Sequence, residues 1–330
     1  MESYIPPYTV SDLMLKLTAQ ISEKVGRISS VRSFDTRPHL RRNNRIRSIH
    51  SSLAIEANSL SFREVRSVID GKEVIGPEKE IQEVKNAYRA YDMLGDFDPY
   101  SLDDLLKLHG VMTYLTVQDS GTFRTQEEGV FNGDECIFFA PPPQFVPVQI
   151  RSLFDWMRKR KETVHPLILS SVFHYEFVFI HPFSDGNGRM ARLWQTALLA
   201  EWDPVFRYLP LESRIFAFQE RYYEAIAVSN NEGRSDAFIA FMLEMIDQTL
   251  DQALQQVSGE NAYLPDTVQK LLEKMEYDTP YSAKQLMKML GLLSRDNFRK
   301  LYLDPALEKG LIVRSVPDRP TSKNQTYIKK

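Results

Sequence analysis

One cysteine in 330 residues, Cys136, excludes a disulfide within the chain and a cysteine-based zinc cluster. That scarcity suits a reducing, intracellular setting. Long apolar runs are missing as well. The longest, PLILSSVFHYEFVFI over 166–180, is too short and too often broken by polar residues to cross a bilayer, so no membrane partner is expected. The opening MESYIPPYTV lacks a basic region followed by an apolar stretch, which predicts no secretory signal and a cytoplasmic protein. No fixed-period repeat or low-complexity tract occurs. The net charge is only −3, but it is unevenly spread: Leu264–Lys330 carries 13 Lys/Arg against 8 Asp/Glu. A mildly basic tail on an acidic body fits a nucleic-acid or acidic partner, and equally a solvated surface.

What is present is an ordinary globular composition, 43% hydrophobic and 26% charged, enough for one large core and a smaller domain. Apolar residues recur at helical spacing over 11–28, 78–94, 101–115, 146–162, 166–180 and 236–254, with Ser11 and Ser101 placed as N-caps. One segment breaks the helical pattern. GTFRTQEEGVFNGDECIFFAPPP has short apolar runs around Asn132-Gly133, a hairpin signal, and Pro141–Pro143 ends its second strand. The chain therefore reads as mainly α, with a two-stranded flap inserted in a helical domain. A linker is predicted at 255–265. Beyond it, over 266–330, three helical stretches and two strands around a polar loop suggest a winged helix-turn-helix domain, a module that binds DNA or protein.

The chemistry concentrates in HPFSDGNGRMAR, His181–Arg192. Pro182 and the two glycines stop the preceding helix, and a new one is predicted from about Asn187 through GRMARLWQTALLAEW. Unpaired N–H groups at that start, beside glycines, make an anion site. Arg189 and Arg192, at i and i+3, can both face one polyanion. Asp185 offers a hard oxygen suited to Mg²⁺. His181 is the group able to accept a proton at neutral pH. Taken singly, a histidine at a helix end, a GNG turn and paired arginines are ordinary structural features. Their convergence on one helix start points to nucleotide phosphate handling.

This stretch resembles the Fic signature H-P-F-x-D/E-G-N-G-R-x-x-R at every specified position. The similarity extends to RPHLRRNNRIRSIHSSLAIEANSLSFREV, the flap and the C-terminal domain, and so covers nearly the whole chain. It implies a helical core over 101–254 preceded by an N-terminal helical region over 1–100, and transfer of AMP from ATP to a Ser, Thr or Tyr hydroxyl of a target protein. By that resemblance His181 is the base and Asp185 holds Mg²⁺. Gly186, Asn187, Gly188 and Arg189 form the anion hole, with Met190 and Ala191 in the same nucleotide-binding segment. Arg192 takes the γ-phosphate, and Phe183 anchors the loop. Gly129, Val130 and Phe131 of the flap would pair with the target segment. RYYEAIAVSNNEG resembles the adenosine-side helix, with Tyr222, Tyr223 and Asn230 as candidates that could equally be core.

SSLAIEAN, over 51–58, taken by itself is an amphipathic helix. It also resembles the Fic inhibitory motif S/T-x-x-x-E-G/N, with Ser52 four residues before Glu56, although Ala57 stands where the pattern has Gly or Asn. The resemblance implies that Glu56 pairs with Arg192 and denies it to the γ-phosphate. Self-modification and a homodimer are also consistent with the family. Within the same fold, transfer of UMP, phosphocholine or phosphate, or removal of AMP, are alternatives. A nucleotide-sensing, DNA-binding regulator is an alternative of another class.

Overall fold

The computed structural model describes residues 4–30, 38–132, 135–258, 265–275, 279–316, 319, 322 and 325–329. Two compact units emerge, one over Met1–Arg32 and Asn44–Ala253, the other over Ser33–Asn43 and Leu254–Lys330. Apart from Ser33–Asn43, the N-terminal region and the segment around His181 thus belong to one unit.

Helices come in the order α1 (Asp12–Ser30), α2 (Pro38–Ile55), α3 (Phe62–Ile69), α4 (Glu78–Asp92) and α5 (Leu102–Met112). The flap strands β1 (Gly129–Asn132) and β2 (Glu135–Phe139) follow. Then come α6 (Val146–Arg160), α7 (Pro166–Ile180), α8 (Asn187–Trp202), α9 (Leu211–Ala217), α10 (Gln219–Glu232) and α11 (Asp236–Ser258). Ser101 caps α5 through Asp104 N (3.2 Å), as its position in the sequence predicts. The flap is antiparallel, with Val130 opposite Phe138 and Phe131 opposite Cys136, and a register shift between Val130 and Phe131. Gly133 of the predicted turn lies outside the described residues.

The core is built on α7 and α8. Twelve of the fifteen residues of α7 are buried, on all its faces, which marks a central helix rather than an amphipathic surface one. Phe154 of α6, Phe173 of α7 and Trp194 of α8 interlock at ring-centroid distances of 5.9–6.4 Å. The stripe Met14, Leu17, Ile21, Val25 and Ile28 of α1 is also buried. Ahead of α1, Pro7 O accepts from Ser235 N (3.0 Å), and Tyr4 donates to the buried Glu176 of α7 (2.6 Å).

Helix α2 is longer than the 51–58 segment predicted and ends earlier, at Ile55. Its end is a Schellman turn: Asn58 N bonds Leu53 O and Ala57 N bonds Ala54 O, both at 3.1 Å, with Ala57 left-handed at φ +63°. Glu56 consequently sits in the terminating turn and not inside a helix. Serines on the last turns of α2 are moored to α9: Ser48 donates to Glu212 (2.6 Å) and Ser51 bonds Ser213 (3.1 Å).

Helix α11 runs to Ser258, four residues into the predicted linker, because residues 255–258 carry no helix breaker. The second unit contains α12 (Asp266–Lys274), β3 (Pro280–Ser282), α13 (Ala283–Leu290) and α14 (Arg295–Phe298). A π turn over Arg299–Leu303 continues α14 into α15 (Asp304–Glu308), and strands β4 (Ile312–Arg314) and β5 (Thr326–Lys329) close the unit. The sheet order is β3-β5-β4, antiparallel throughout, so a third strand joins the two that were predicted. Val268, Leu271, Leu286, Phe298 and Ile312 form its core. Among the described residues, no helix is long and apolar enough to cross a membrane.

Candidate active site

The loop between α7 and α8 starts with a strained residue. His181 is left-handed at φ +51°, a conformation costing about 1–2 kcal/mol for a non-glycine residue. Its N–H still bonds Phe177 O (3.0 Å), closing α7. The ring Nδ1 lies 3.3 Å from Val178 O. A carbonyl can only accept, so Nδ1 carries the proton and Nε2 keeps a free lone pair. Burial pushes the imidazole pKa below its usual value, and the Val178 contact opposes that only in part. His181 is therefore neutral at neutral pH.

Three side chains hold the loop from inside. Asn187 closes it on itself, accepting from Phe183 N (3.0 Å) and donating to Phe183 O (2.8 Å). Its amide is thereby engaged within the loop at both ends, and its backbone N–H lies at the open helix start. His109 stacks flat on the buried Phe183 ring, with centroids 3.6 Å apart, and takes Gly121 N on Nδ1 (2.9 Å). Its Nε2–H then donates to Asp185 O (3.0 Å). Burial lowers the His109 pKa to about 4, keeping it neutral in that role. Arg124 donates to His181 O (2.6 Å), Gln126 O (2.8 Å) and Pro141 O, while its own N–H bonds Pro182 O (3.0 Å). One residue thus ties both legs of the flap to the loop.

At the start of α8, Gly186 adopts φ +86° and no side chain caps the helix. Met190 N is the first amide bonded back, to Gly186 O, which leaves the N–H groups of residues 187–189 at the open end. Arg189 is 3% exposed. Its Nη2 binds Asp185 Oδ1 (2.6 Å) and its Nη1 faces Glu83 Oε1 of α4 across 3.7 Å. Lys79 Nζ of α4 lies 3.4 Å from the other Asp185 oxygen. Burial would raise the Asp185 pKa, but the two cations outweigh it and hold the carboxylate below its usual value.

Arg192 is fully buried and gives Nε to Ser52 Oγ (3.0 Å) and Nη2 to Ser52 O (2.9 Å). The same Nη2 pairs with Glu56 Oε1 at 2.8 Å. Burial works against the Arg192 charge, yet Glu56 more than compensates and raises its pKa. A Cβ built on Gly188 would collide with Glu56 Oε1 and approach Arg192 Nη1 to 3.1 Å. The carboxylate therefore lies directly on the bare Gly188 backbone at the helix start. Arg189 Nε, Arg189 Nη1 and Arg192 Nη1 are buried with no hydrogen-bond partner. Buried donors of that kind are rare unless a ligand completes them.

Other candidates stand further back. Met190 and Ala191 are 0% exposed, on the side of α8 that faces the core, so their side chains are packing groups and do not face the open end. Tyr222, 2% exposed, pairs with His174 Nε2 (2.9 Å) and packs on Phe238, a core position behind Arg192. Tyr223 is at the surface and donates to Ile55 O (3.3 Å), while Asn230 accepts from Tyr175 (3.0 Å). Gly129 and the backbones of Val130 and Phe131 lie in β1. His109, Arg124, Lys79 and Glu83 were not anticipated. Lys79 and Glu83 share an i,i+4 face of α4, a signal the sequence does carry, whereas Arg124 and His109 act on backbone carbonyls and leave no pairwise signature.

A solved Fic family protein from Desulfovibrio desulfuricans G20 matches with a TM-score of 0.74 at 40% identity, over 99% of this chain and 98% of that one. The chain belongs to the Fic family. The Fic/DOC family model matches residues 99–199, and the model for the C-terminal domain of Fic-like proteins (filamentation induced by cAMP) matches residues 266–328. Curated relatives include a protein adenylyltransferase Fic from Nematostella vectensis, 29% identical over 62% of this Fic chain and 48% of its own length. One of the same name from Aedes aegypti is 29% identical over 73% of this chain and 48% of its own. The chain thus spans about half the length of these relatives.

Proposed function

We propose that this Fic protein transfers AMP from ATP to the hydroxyl of a protein side chain, and that Glu56 restrains the transfer. The observation that carries the reading is the Glu56 carboxylate on Gly188 and Arg192, an anion seated where helix amides and buried guanidinium donors converge. An ATP phosphate satisfies the same donors. Adenylyltransferase Fic relatives favour ATP as the nucleotide.

His181, with Nε2 unprotonated, takes the proton of the attacking hydroxyl as the oxygen bonds to the α-phosphorus and pyrophosphate departs. Removing a general base costs about 10²–10⁴ in rate. The α8 amides, Arg189 and Arg192 neutralise the phosphate oxygens. Asp185 fits as the single protein oxygen for Mg²⁺, an ion that keeps waters and substrate phosphates as its other ligands. Among the described residues no group of three His, Cys, Asp or Glu forms a metal cage. When bound, Mg²⁺ would supply charge neutralisation between phosphates. The flap presents β1 and β2 as strands on which a target segment could pair.

The test is parallel incubation of wild type, Glu56→Gly and His181→Ala with α-labelled and γ-labelled ATP. Label from the α position only, stronger in Glu56→Gly and absent in His181→Ala, is the expected result. Label from the γ position alone would mean phosphorylation and overturn the reading.

A further inference from the structure

Helix α4 touches both the end of the inhibitory segment and the phosphate site, and no role assigned above uses that. Asn58, two residues past Glu56, donates to Glu83 Oε2 (2.9 Å) and to Glu80 O (3.3 Å). Glu83 Oε1, the other oxygen of the same carboxylate, faces Arg189 Nη1 at 3.7 Å, beyond hydrogen-bond reach. Arg189 Nη1 is buried and has no acceptor. A buried guanidinium N–H left in that condition is unfavourable, so the gap is one the side chains would close if free to do so. Glu83 is itself largely enclosed, with its side chain 13% exposed, and Asn58 draws it toward the foot of α2.

We propose, resting on the adenylyl-transfer reading, that Glu83 is a positioning residue shared by the phosphate site and the brake. One carboxylate oxygen orients Arg189; the other is held by Asn58 while α2 is seated. When the α2 end shifts, the Asn58 amide lets go of Glu83 Oε2 while Ser59 stays on Glu80, and Glu83 closes on Arg189 Nη1. The guanidinium then has a carboxylate on each side, Asp185 and Glu83. This matters because Asp185 is also the residue that suits a divalent ion. Once it shares its charge with an ion, Glu83 becomes the main restraint on the Arg189 fork. A bidentate donor that is misoriented by a small rotation loses much of its effect on a phosphate oxygen.

The rest of the connection is anchored separately, so the link can be cut without unfolding the turn. Ser59 N and Oγ both bind Glu80 Oε2, at 2.6 and 2.7 Å. Asn86 of α4 donates to Tyr114 O (2.7 Å), a further anchor for the helix.

The experiment uses the full chain with Asn58→Ala, Glu83→Gln and Glu83→Ala, each in wild type and in Glu56→Gly. Transfer from α-labelled ATP gives kcat and the KM for ATP, calorimetry gives ATP affinity, and thermal melting checks folding. In wild type, Asn58→Ala is expected to raise transfer about tenfold, the effect of losing one hydrogen bond to a charged group. In Glu56→Gly, where the brake is already off, Asn58→Ala is expected to change nothing. There Glu83→Ala should lower kcat by about ten- to a hundredfold and weaken ATP binding. Glu83→Gln keeps the size and the acceptor for Asn58, but it cannot serve Arg189 as a carboxylate does, so it should share the loss in kcat even if the alanine variant folds poorly. Equal gains from Asn58→Ala in both backgrounds, no gain in wild type, or unchanged kinetics in Glu83→Gln overturn the proposal. A Glu56→Gly protein that binds ATP yet transfers no AMP overturns the transfer reading instead.

Discussion

Replacing Ala57 with glycine should tighten the brake. Ala57 holds φ +63° as the left-handed residue of the turn that ends α2, and its side chain is exposed. A left-handed alanine costs about 1–2 kcal/mol. Glycine removes that cost but gives back about 0.4–1 kcal/mol through the freedom it adds to the unfolded chain. The net gain is about 1 kcal/mol, roughly a fivefold shift in an equilibrium constant. It accrues only when the turn is folded, which is the state in which Glu56 reaches Arg192. Auto-labelling from α-labelled ATP by Ala57→Gly should therefore fall about fivefold, with a melting temperature about 2–4 °C higher. Ala57→Val, crowded at positive φ, should shift both in the opposite direction. Faster labelling or a lower melting temperature in Ala57→Gly would show that the strained turn does not set the brake.

Gly188→Ala should weaken ATP binding by more than tenfold in calorimetry, because its methyl group fills the space between Glu56 Oε1 and Arg192 Nη1 that a phosphate would need; affinity equal to wild type would refute this. Unlike Glu56→Gly, that variant should show no rise in transfer. Burial raises the Glu176 pKa to about 7, so the folded state resists its ionisation and loses stability as pH climbs from its unfolded value to about 7. Glu176→Gln, which can still accept from Tyr4, should be about 3 kcal/mol more stable than wild type at pH 8 and nearly equal to it at pH 4.5, measured by urea unfolding. The base must be unprotonated and burial sets its pKa below the usual histidine value. Transfer by Glu56→Gly should thus be level above pH 6.5 and fall about tenfold per unit below the His181 pKa. That variant also lacks the Glu56 charge, whose presence raises the pKa, so its acid limb should lie below pH 6.5.

The outer helices were legible because their periodicity is strong, whereas α7 and the start of α8 were legible from the breakers Pro166, Pro182 and the glycines at 186 and 188. The loop His181–Arg192 was legible as a set of residue types but not as a division of labour. Asn187 looks like an anion ligand in sequence, and only the hydrogen bonds to Phe183 reveal that its side chain is a strut. Met190 and Ala191 fall inside the signature, yet helical rotation turns them into the core. The end of α2 was misjudged by three residues because Ala57 carries no sign of its left-handed backbone, for which glycine or asparagine is the usual marker. Strand β3 escaped notice at three residues long, since its pairing with β5 is non-local.

Arg192 has almost no contact with water and one unsatisfied N–H, so its charge needs a neighbouring anion at all times. Removing one partner of a buried ion pair strands the other at considerable cost. In the structure that anion is the Glu56 carboxylate; on the proposed reading an ATP phosphate takes its place, so one counter-ion is exchanged for another. On that reading, inhibition and fold stability share a single contact. The thermal stability of Glu56→Gly should then follow the ATP level more steeply than that of wild type.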